Sequence, residues 1–250
     1  MSAFEMRIRP RQTIGILTFV FLSSFWCELL GQEVMNSSAL FPLSEGTKWT
    51  YQGVVRWSHE NSNDVSETQV TWTTEVEQVI RREHLTAAVI RGFPSDLNWS
   101  DGNPEPANTL LVALDTGEYY LLQNEDIRDS LKRLQNTSDS LHGFPDPDDG
   151  FLRSPLAKGK KFCDPDGMAR DDDMYCWAVN SVESVSLTNV KGLAPKRYEV
   201  YEMGYRTNPD DITLQLLPGV GVIRYQYHHH GTVAETDVKL VAFHTGAAGN

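Results

Sequence analysis

Apolar and polar side chains alternate along most of the chain from Thr47 onward, the period-two signature of half-buried strands. Trp49, Tyr51, Val55 and Trp57 fall on one face, with Lys48, Thr50, Gln52 and Arg56 on the other. Val70, Trp72, Thr74 and Val76 repeat the pattern after a polar stretch, and Leu85 to Phe93 gives a third strand beyond a tight turn near Arg82. Thr109 to Leu114 is apolar on both faces and ends at Asp115-Thr116-Gly117. It reads as a central strand turning into Glu118 to Leu122. In the second half, Met174 to Val185, Lys196 to Tyr205, Thr213 to Leu217, Val220 to Tyr227 and Thr232 to Phe243 also predict strands. Pro218-Gly219 supplies a tight turn whose glycine suits a positive φ.

One segment departs from this rhythm. Ile127, Leu131 and Leu134 lie at helical spacing between Asp126 and Gln135, with charges opposite, and predict a short helix. Asn136 to Gly150 then dissolves into Ser, Asp, Pro and Gly, which is loop chemistry. Many strands and one short helix predict a mainly β fold, a curved antiparallel sheet or open β-barrel.

The sequence also echoes itself. Pro42-Leu43-Ser44-Glu45-Gly46-Thr47-Lys48-Trp49 and Pro155-Leu156-Ala157-Lys158-Gly159-Lys160-Lys161-Phe162 share Pro-Leu-x-x-Gly-x-Lys-aromatic. Pro fixes the approach, Leu anchors it, Gly turns and the aromatic begins a strand. Two similar sheet-starting units are expected within one fold.

The first residues obey a different logic. Arg7, Arg9 and Arg11 precede an apolar run from Ile14 to Trp26, the layout of a secretory signal peptide and too short to span a bilayer. Cleavage after Gly31, lipid modification at Cys27 and retention as an anchor are the three outcomes this layout admits. The expected organisation is a signal at 1–31, a linker at 32–40, one β-rich domain at 41–246 with a loop-rich insertion at 136–173, and a tail at 247–250. The destination is periplasmic, cell-envelope or extracellular.

Composition sharpens this picture in two ways. Thirty-four acidic residues against 22 basic ones give a net charge of −12, which argues against nucleic acid or anionic lipid as partners. Of the three cysteines, Cys27 belongs to the leader, leaving Cys163 and Cys176 as an even pair in an oxidising compartment. A bridge between them is favoured over two separate thiols and stabilises by roughly 3 kcal/mol on the chain-entropy model.

Phe41-Pro42-Leu43 to Trp49-x-Tyr51, and Pro218-Gly219-Val220-Gly221-Val222-Ile223 near the end, resemble the motifs of a group of exported bacterial proteins with no agreed activity. These are in turn distantly similar to open-barrel lipoprotein carriers of the LolA/LolB type. The resemblance implies a barrel-like fold and an envelope location, and no enzyme activity. Long acidic insertions around Asp146 to Asp149 and Asp164 to Asp173 depart from that pattern.

Those insertions carry the first candidate chemistry. Asp164, Asp166 and Asp173 bracket Gly167 at spacings that could hold calcium, although Phe162 stands where the first ligand belongs. Solvated turns rich in Asp, Pro and Gly are commoner, so calcium is only a possible cofactor. His228 and His230 share one face of a strand, a spacing that chelates a transition metal. A third ligand is open among His244, His59 or an Asp. Trp49, Trp57 and Trp72 belong to apolar faces, whereas Trp99 sits in a polar loop as an exposed contact. Asn36, Asn98 and Asn136 begin glycosylation sequons.

No nucleophile elbow, zincin or phosphate-loop motif occurs. The expected function is therefore that of an exported, non-enzymatic protein whose barrel binds an apolar small molecule or lipid. An extracytoplasmic hydrolase with acidic residues and a purely structural surface module compete with it. A deep cavity marks the first, two buried convergent carboxylates the second, and a filled core the third. Nothing in the sequence fixes the oligomeric state.

Overall fold

The alternating segments become twelve antiparallel strands of a single sheet. They are β1 (Lys48–Ser58), β2 (Val65–Arg82), β3 (Leu85–Arg91), β4 (Asn108–Leu114), β5 (Glu118–Leu122), β6 (Gly150–Arg153), β7 (Lys161–Phe162), β8 (Trp177–Leu187), β9 (Lys196–Arg206), β10 (Asp210–Leu217), β11 (Gly221–His229) and β12 (Ala234–His244). Helix α1 (Asp126–Gln135), one helical turn, α2 (Pro165–Met168), and two short 3-10 turns at Pro94–Leu97 and Pro147–Asp149 complete the elements. The computed structural model describes residues 39–58, 64–99, 102–123, 126–163 and 165–247, without the side chains of 126, 165 and 166. The chain divides into two units, Met1–Glu33 and Val34–Asn250. The first, with the leader and Cys27, lies outside the described residues, as do Asn36, His59 and Asp164.

Strand order is β6-β5-β4-β3-β2-β1-β12-β11-β10-β9-β8-β7. Two six-strand meanders thus lie side by side, zipped by β1 against β12, where Trp49 stands opposite Phe243 and Val55 opposite Thr236. The outer strands β6 and β7 approach each other without ladder hydrogen bonds, so the barrel is nearly closed and has one seam.

Each meander opens with the same device. Thr47 N–H donates to the Ser44 carbonyl at 3.1 Å, and Lys160 N–H to the Ala157 carbonyl at 3.0 Å. Gly46 and Gly159 take φ values of +79° and +81°, which only glycine adopts at low cost. The Gly46 and Gly159 amides then donate to the carbonyls of Val76 and Val179, at 2.9 and 2.8 Å. One residue on, the ladder slips in both copies: β2 against β3 between Val76 and Gln78, and β8 against β9 between Val179 and Ser181. A bulge adds twist and bends its strand, helping the sheet curl towards closure. The sequence echo is one turn-and-bulge unit built twice.

Strands β3 and β4 are apolar on both faces for a local reason. Ala88, Ile90 and Leu111 join the main core, while Ala87, Val89, Leu110 and Val112 form a second cluster with Ile127 and Leu134 of α1. The helix covers the outside of the barrel, as its amphipathic spacing requires. Arg82 holds its C-terminal end, donating to the carbonyls of Leu134 at 2.9 Å, Asn136 at 3.0 Å and Asp139 at 2.8 Å. Those carbonyls lack helical partners, and a guanidinium suits the negative end of the dipole.

Two details differ from the sequence expectation. Strand β8 begins at Trp177 rather than Met174, because Asp173 and Tyr175 have positive φ and Cys176 is tied to Cys163. Strand β6 lies at the end of the stretch read as loop, too short for alternation to register.

Candidate functional site

Antiparallel connectivity sends β1–β2, β3–β4, β5–β6, β7–β8, β9–β10 and β11–β12 connections to one end of the barrel. The opposite end is plugged by the approach to β1. There Gly219 N–H donates to the Ala39 carbonyl, Leu40 N–H to the Tyr119 hydroxyl, and the Trp49 indole to the Val220 carbonyl. Tyr51, buried among these, donates to the Val222 carbonyl at 2.8 Å, and burial pushes its phenol pKa up. The barrel therefore has a plugged half, where a hollow of about 470 Å³ remains beside Phe41, Leu43 and Tyr119, and an open half.

The open half holds a hollow of about 450 Å³ under the long loops. Its aromatic wall comes from five strands: Phe151 on β6, Phe162 on β7, Trp177 on β8, Tyr205 at the end of β9 and Tyr225 on β11. Phe93, Ser95 and Asn98 from the β3–β4 loop, Leu121 and Gln123 at the end of β5, and Ile212 and Leu214 on β10 complete much of it. Trp177 is the keystone. Its ring meets Phe151 edge-on at 5.0 Å and lies 5.0 Å from Tyr205 at a shallow 32°. Across the seam, where ladder hydrogen bonding stops, the Phe151–Trp177 pair adds a ring contact between the two meanders.

A second hollow of about 400 Å³ runs along the seam and shares Gly150, Phe151, Phe162 and Cys163 with the first. These four residues stand between the two hollows or border both. The Cys163–Cys176 disulfide staples the β7–β8 loop beside this junction, and both Cys163 and Tyr175 line the main hollow. Arg170 organises the same loop, with its guanidinium 5.0 Å from the Tyr175 ring and two hydrogen bonds to Asp172. Those bonds, with the Met174 amide, hold the exposed Asp172 carboxyl down at about 2.

The polar rim is closely paired. Asn98 and Tyr225 exchange hydrogen bonds at 2.8 and 3.0 Å, which ties down the amide of a predicted sequon. Gln123 donates to Ser95 at 2.8 Å. Asp210 gathers Tyr227 at 2.7 Å, His229 at 2.8 Å and Thr207 at 3.4 Å. Burial works against its charge, but the His229, Tyr227 and Thr207 bonds outweigh it and the pKa falls. Asp96 moves the other way: burial lifts its carboxyl to about 6, opposed by the Ala107 amide. Trp99, 56% exposed as the loop chemistry implied, packs its indole edge-on to His229 at 4.2 Å. The acids lining the hollow are Asp148, exposed at its lip, and half-buried Asp149. They do not form the buried, convergent pair that a hydrolase of the expected kind needs among the described residues.

The remaining sequence candidates lie elsewhere. Asp173 pairs with Lys161, and Asp166 is described only by its backbone in α2, so the three proposed calcium ligands are not seen together. His228 and His230 do share a face, their rings 4.8 Å apart, on the outside of β11 and its hairpin. His229, between them, points inward to Asp210. What the sequence reading missed is Asp211, whose carboxylate lies 2.8 Å from His230. Cross-strand register, Asp211 facing His228, is the signal that finds it.

Fold and site together define a twelve-strand meander barrel with one plugged end and one ligand-sized, aromatic-walled end. No protein-family model and no curated protein matches the chain. Among solved structures it is similar to a protein from Bacteroides fragilis, described as exported and having a YmcC-like fold. That match has 10% identity and a TM-score of 0.41, and covers 83% of this chain and 99% of the other. It is also similar to a protein described as a lipoprotein from Parabacteroides distasonis, at 12% identity and a TM-score of 0.39, with 83% and 99% covered.

Proposed function

We propose that this is an exported, non-enzymatic binding protein that carries one small amphipathic molecule in the open half of its barrel. The observation behind this reading is the hollow itself. Its roughly 450 Å³ falls within the range of sites that enclose a small ligand, and its wall sets aromatic rings beside the polar groups of Ser95, Asn98, Gln123 and Asp148. Rigid aromatic walls bury large apolar area at small entropic cost, and a second hollow of about 400 Å³ adjoins the first along the seam. The expectation of an apolar small molecule or lipid is thus narrowed to one ring system or a single chain with a polar head. The arginine-led leader pattern and the Cys163–Cys176 bridge support an extracytoplasmic site of action, at the envelope or beyond. The same placement agrees with the motif resemblance to exported barrel proteins and carriers of the LolA/LolB type.

Native mass spectrometry of the protein purified from its own host tests the proposal. A discrete non-covalent adduct should be present on the natural chain and lost on Ile212→Trp, which fills the hollow from its β10 wall. If the natural chain flies bare, and a fluorescent apolar dye such as N-phenylnaphthylamine binds both chains alike, the carrier reading fails.

A further inference from the structure

We infer that Asp211, His228 and His230 form a binding site for a divalent transition ion, zinc or copper, on the outer face of the barrel. Neither the hollow nor its ligand enters this inference. The strand ladder assembles the donors. Asp211 of β10 stands directly opposite His228 of β11, and Glu235 of β12 stands opposite it on the other side. Side chains directly opposite in a ladder share a face, so carboxylate, imidazole and carboxylate form a row across three strands. His230, two residues beyond His228, returns to the same face, and its backbone N–H is anchored on the Pro209 carbonyl at 2.8 Å.

One donor atom from each of Asp211, His228 and His230 lies within 4.8 Å of the others. Ligand bonds of about 2.0–2.2 Å place tetrahedral donors on the order of 3.4 Å apart. Rotation of exposed side chains closes that difference without moving backbone. The carboxylates are already oriented from behind. Asp211 presents one oxygen to His230 at 2.8 Å and the other to Arg206 at 3.6 Å. Glu235 lies 3.7 Å from His228 through one oxygen and accepts from Arg56 at 2.8 Å through the other. Partners that fix a ligand from its far side are the usual support of a metal site. Two imidazoles with one carboxylate select zinc or copper over calcium, which wants oxygen alone. Glu235 or water completes the shell.

The test is zinc titration by calorimetry on the untagged, metal-stripped full chain, repeated with cobalt while reading its visible ligand-field absorption. One equivalent should bind. His228→Ala and His230→Ala should each weaken binding at least tenfold, and Asp211→Asn by about tenfold. His244→Ala should leave it unchanged, with circular dichroism showing every variant folded. Zinc binding that survives intact in the folded His228→Ala/His230→Ala double variant would overturn the site. So would the lack of one-equivalent binding at 100 μM zinc.

Discussion

Asp96 provides the sharpest check on how burial controls charge at the open end of the barrel. Replacing it with Asn keeps the shape and leaves an oxygen for the Ala107 amide, accepted now at 2.8 Å, while removing the charge. Burial raises this carboxyl from 3.8 to about 6, against a smaller opposing effect of the Ala107 hydrogen bond. A carboxyl whose pKa is higher in the folded chain holds its proton more tightly there. Its ionisation therefore costs stability above about pH 6 and costs nothing below about pH 4. Roughly two units at 1.36 kcal/mol each would give about 3 kcal/mol. The group is only half-buried, however, and solvent screening brings the figure to about 1–1.5 kcal/mol. Asp96→Asn should then raise Tm by roughly 2–5 °C at pH 8 and leave it unchanged at pH 4. Differential scanning calorimetry at both pH values decides the matter. An equal gain at the two, or a loss at pH 8, would refute the burial argument.

Gly46→Ala and Gly159→Ala should destabilise by the same amount, about 1 kcal/mol each in urea denaturation, since a Cβ at either meets no close atom and only the positive φ is strained. A several-fold difference between them would show that the two turns are not energetically equivalent. The double variant Cys163→Ala/Cys176→Ala should lose about 3 kcal/mol through the freed unfolded loop, measurable as a lowered urea midpoint. Leu134→Ala, at a fully buried position on the inner face of α1, should cost about 2–4 kcal/mol, and hydrogen exchange should show α1 opening before the strands. Arg82→Ala should cost about 1–2 kcal/mol by removing the donor to the Leu134 carbonyl at the end of the same helix, again read by urea denaturation.

Most strands were legible because one face of each meets a greasy interior, and α1 because Ile127, Leu131 and Leu134 recur at helical spacing. The doubly apolar strand at Thr109 to Leu114 reads as central and lies between β3 and β5, with α1 covering the face turned away from the main core. The echo at Pro42 and Pro155 was legible because glycine is chemically required in each turn. What alternation could not reveal depends on register and convergence. Asp211 becomes a neighbour of His228 and His230 only when β10 and β11 pair, and no local pattern records that match. Trp177 looks like any strand aromatic until β6, β9 and the seam surround it. The hollow is drawn from nearly every part of the chain, so it belongs to no segment that a sequence window can hold.

In the strand order, every ladder joins neighbours in sequence save β1 with β12. Almost all the topology can therefore form by local hairpin growth, and one late, long-range zipping event unites the first and last strands. Residues flanking β1 and β12 already meet, with Gly246 N–H donating to the Thr47 hydroxyl at 3.0 Å. A circular permutant cut in the β6–β7 connection and spliced across the old termini would be a single unbroken meander, with its ends at the gap the native wall leaves open. In such a molecule closure entropy would vanish from the slow step, and refolding should outpace that of the natural chain.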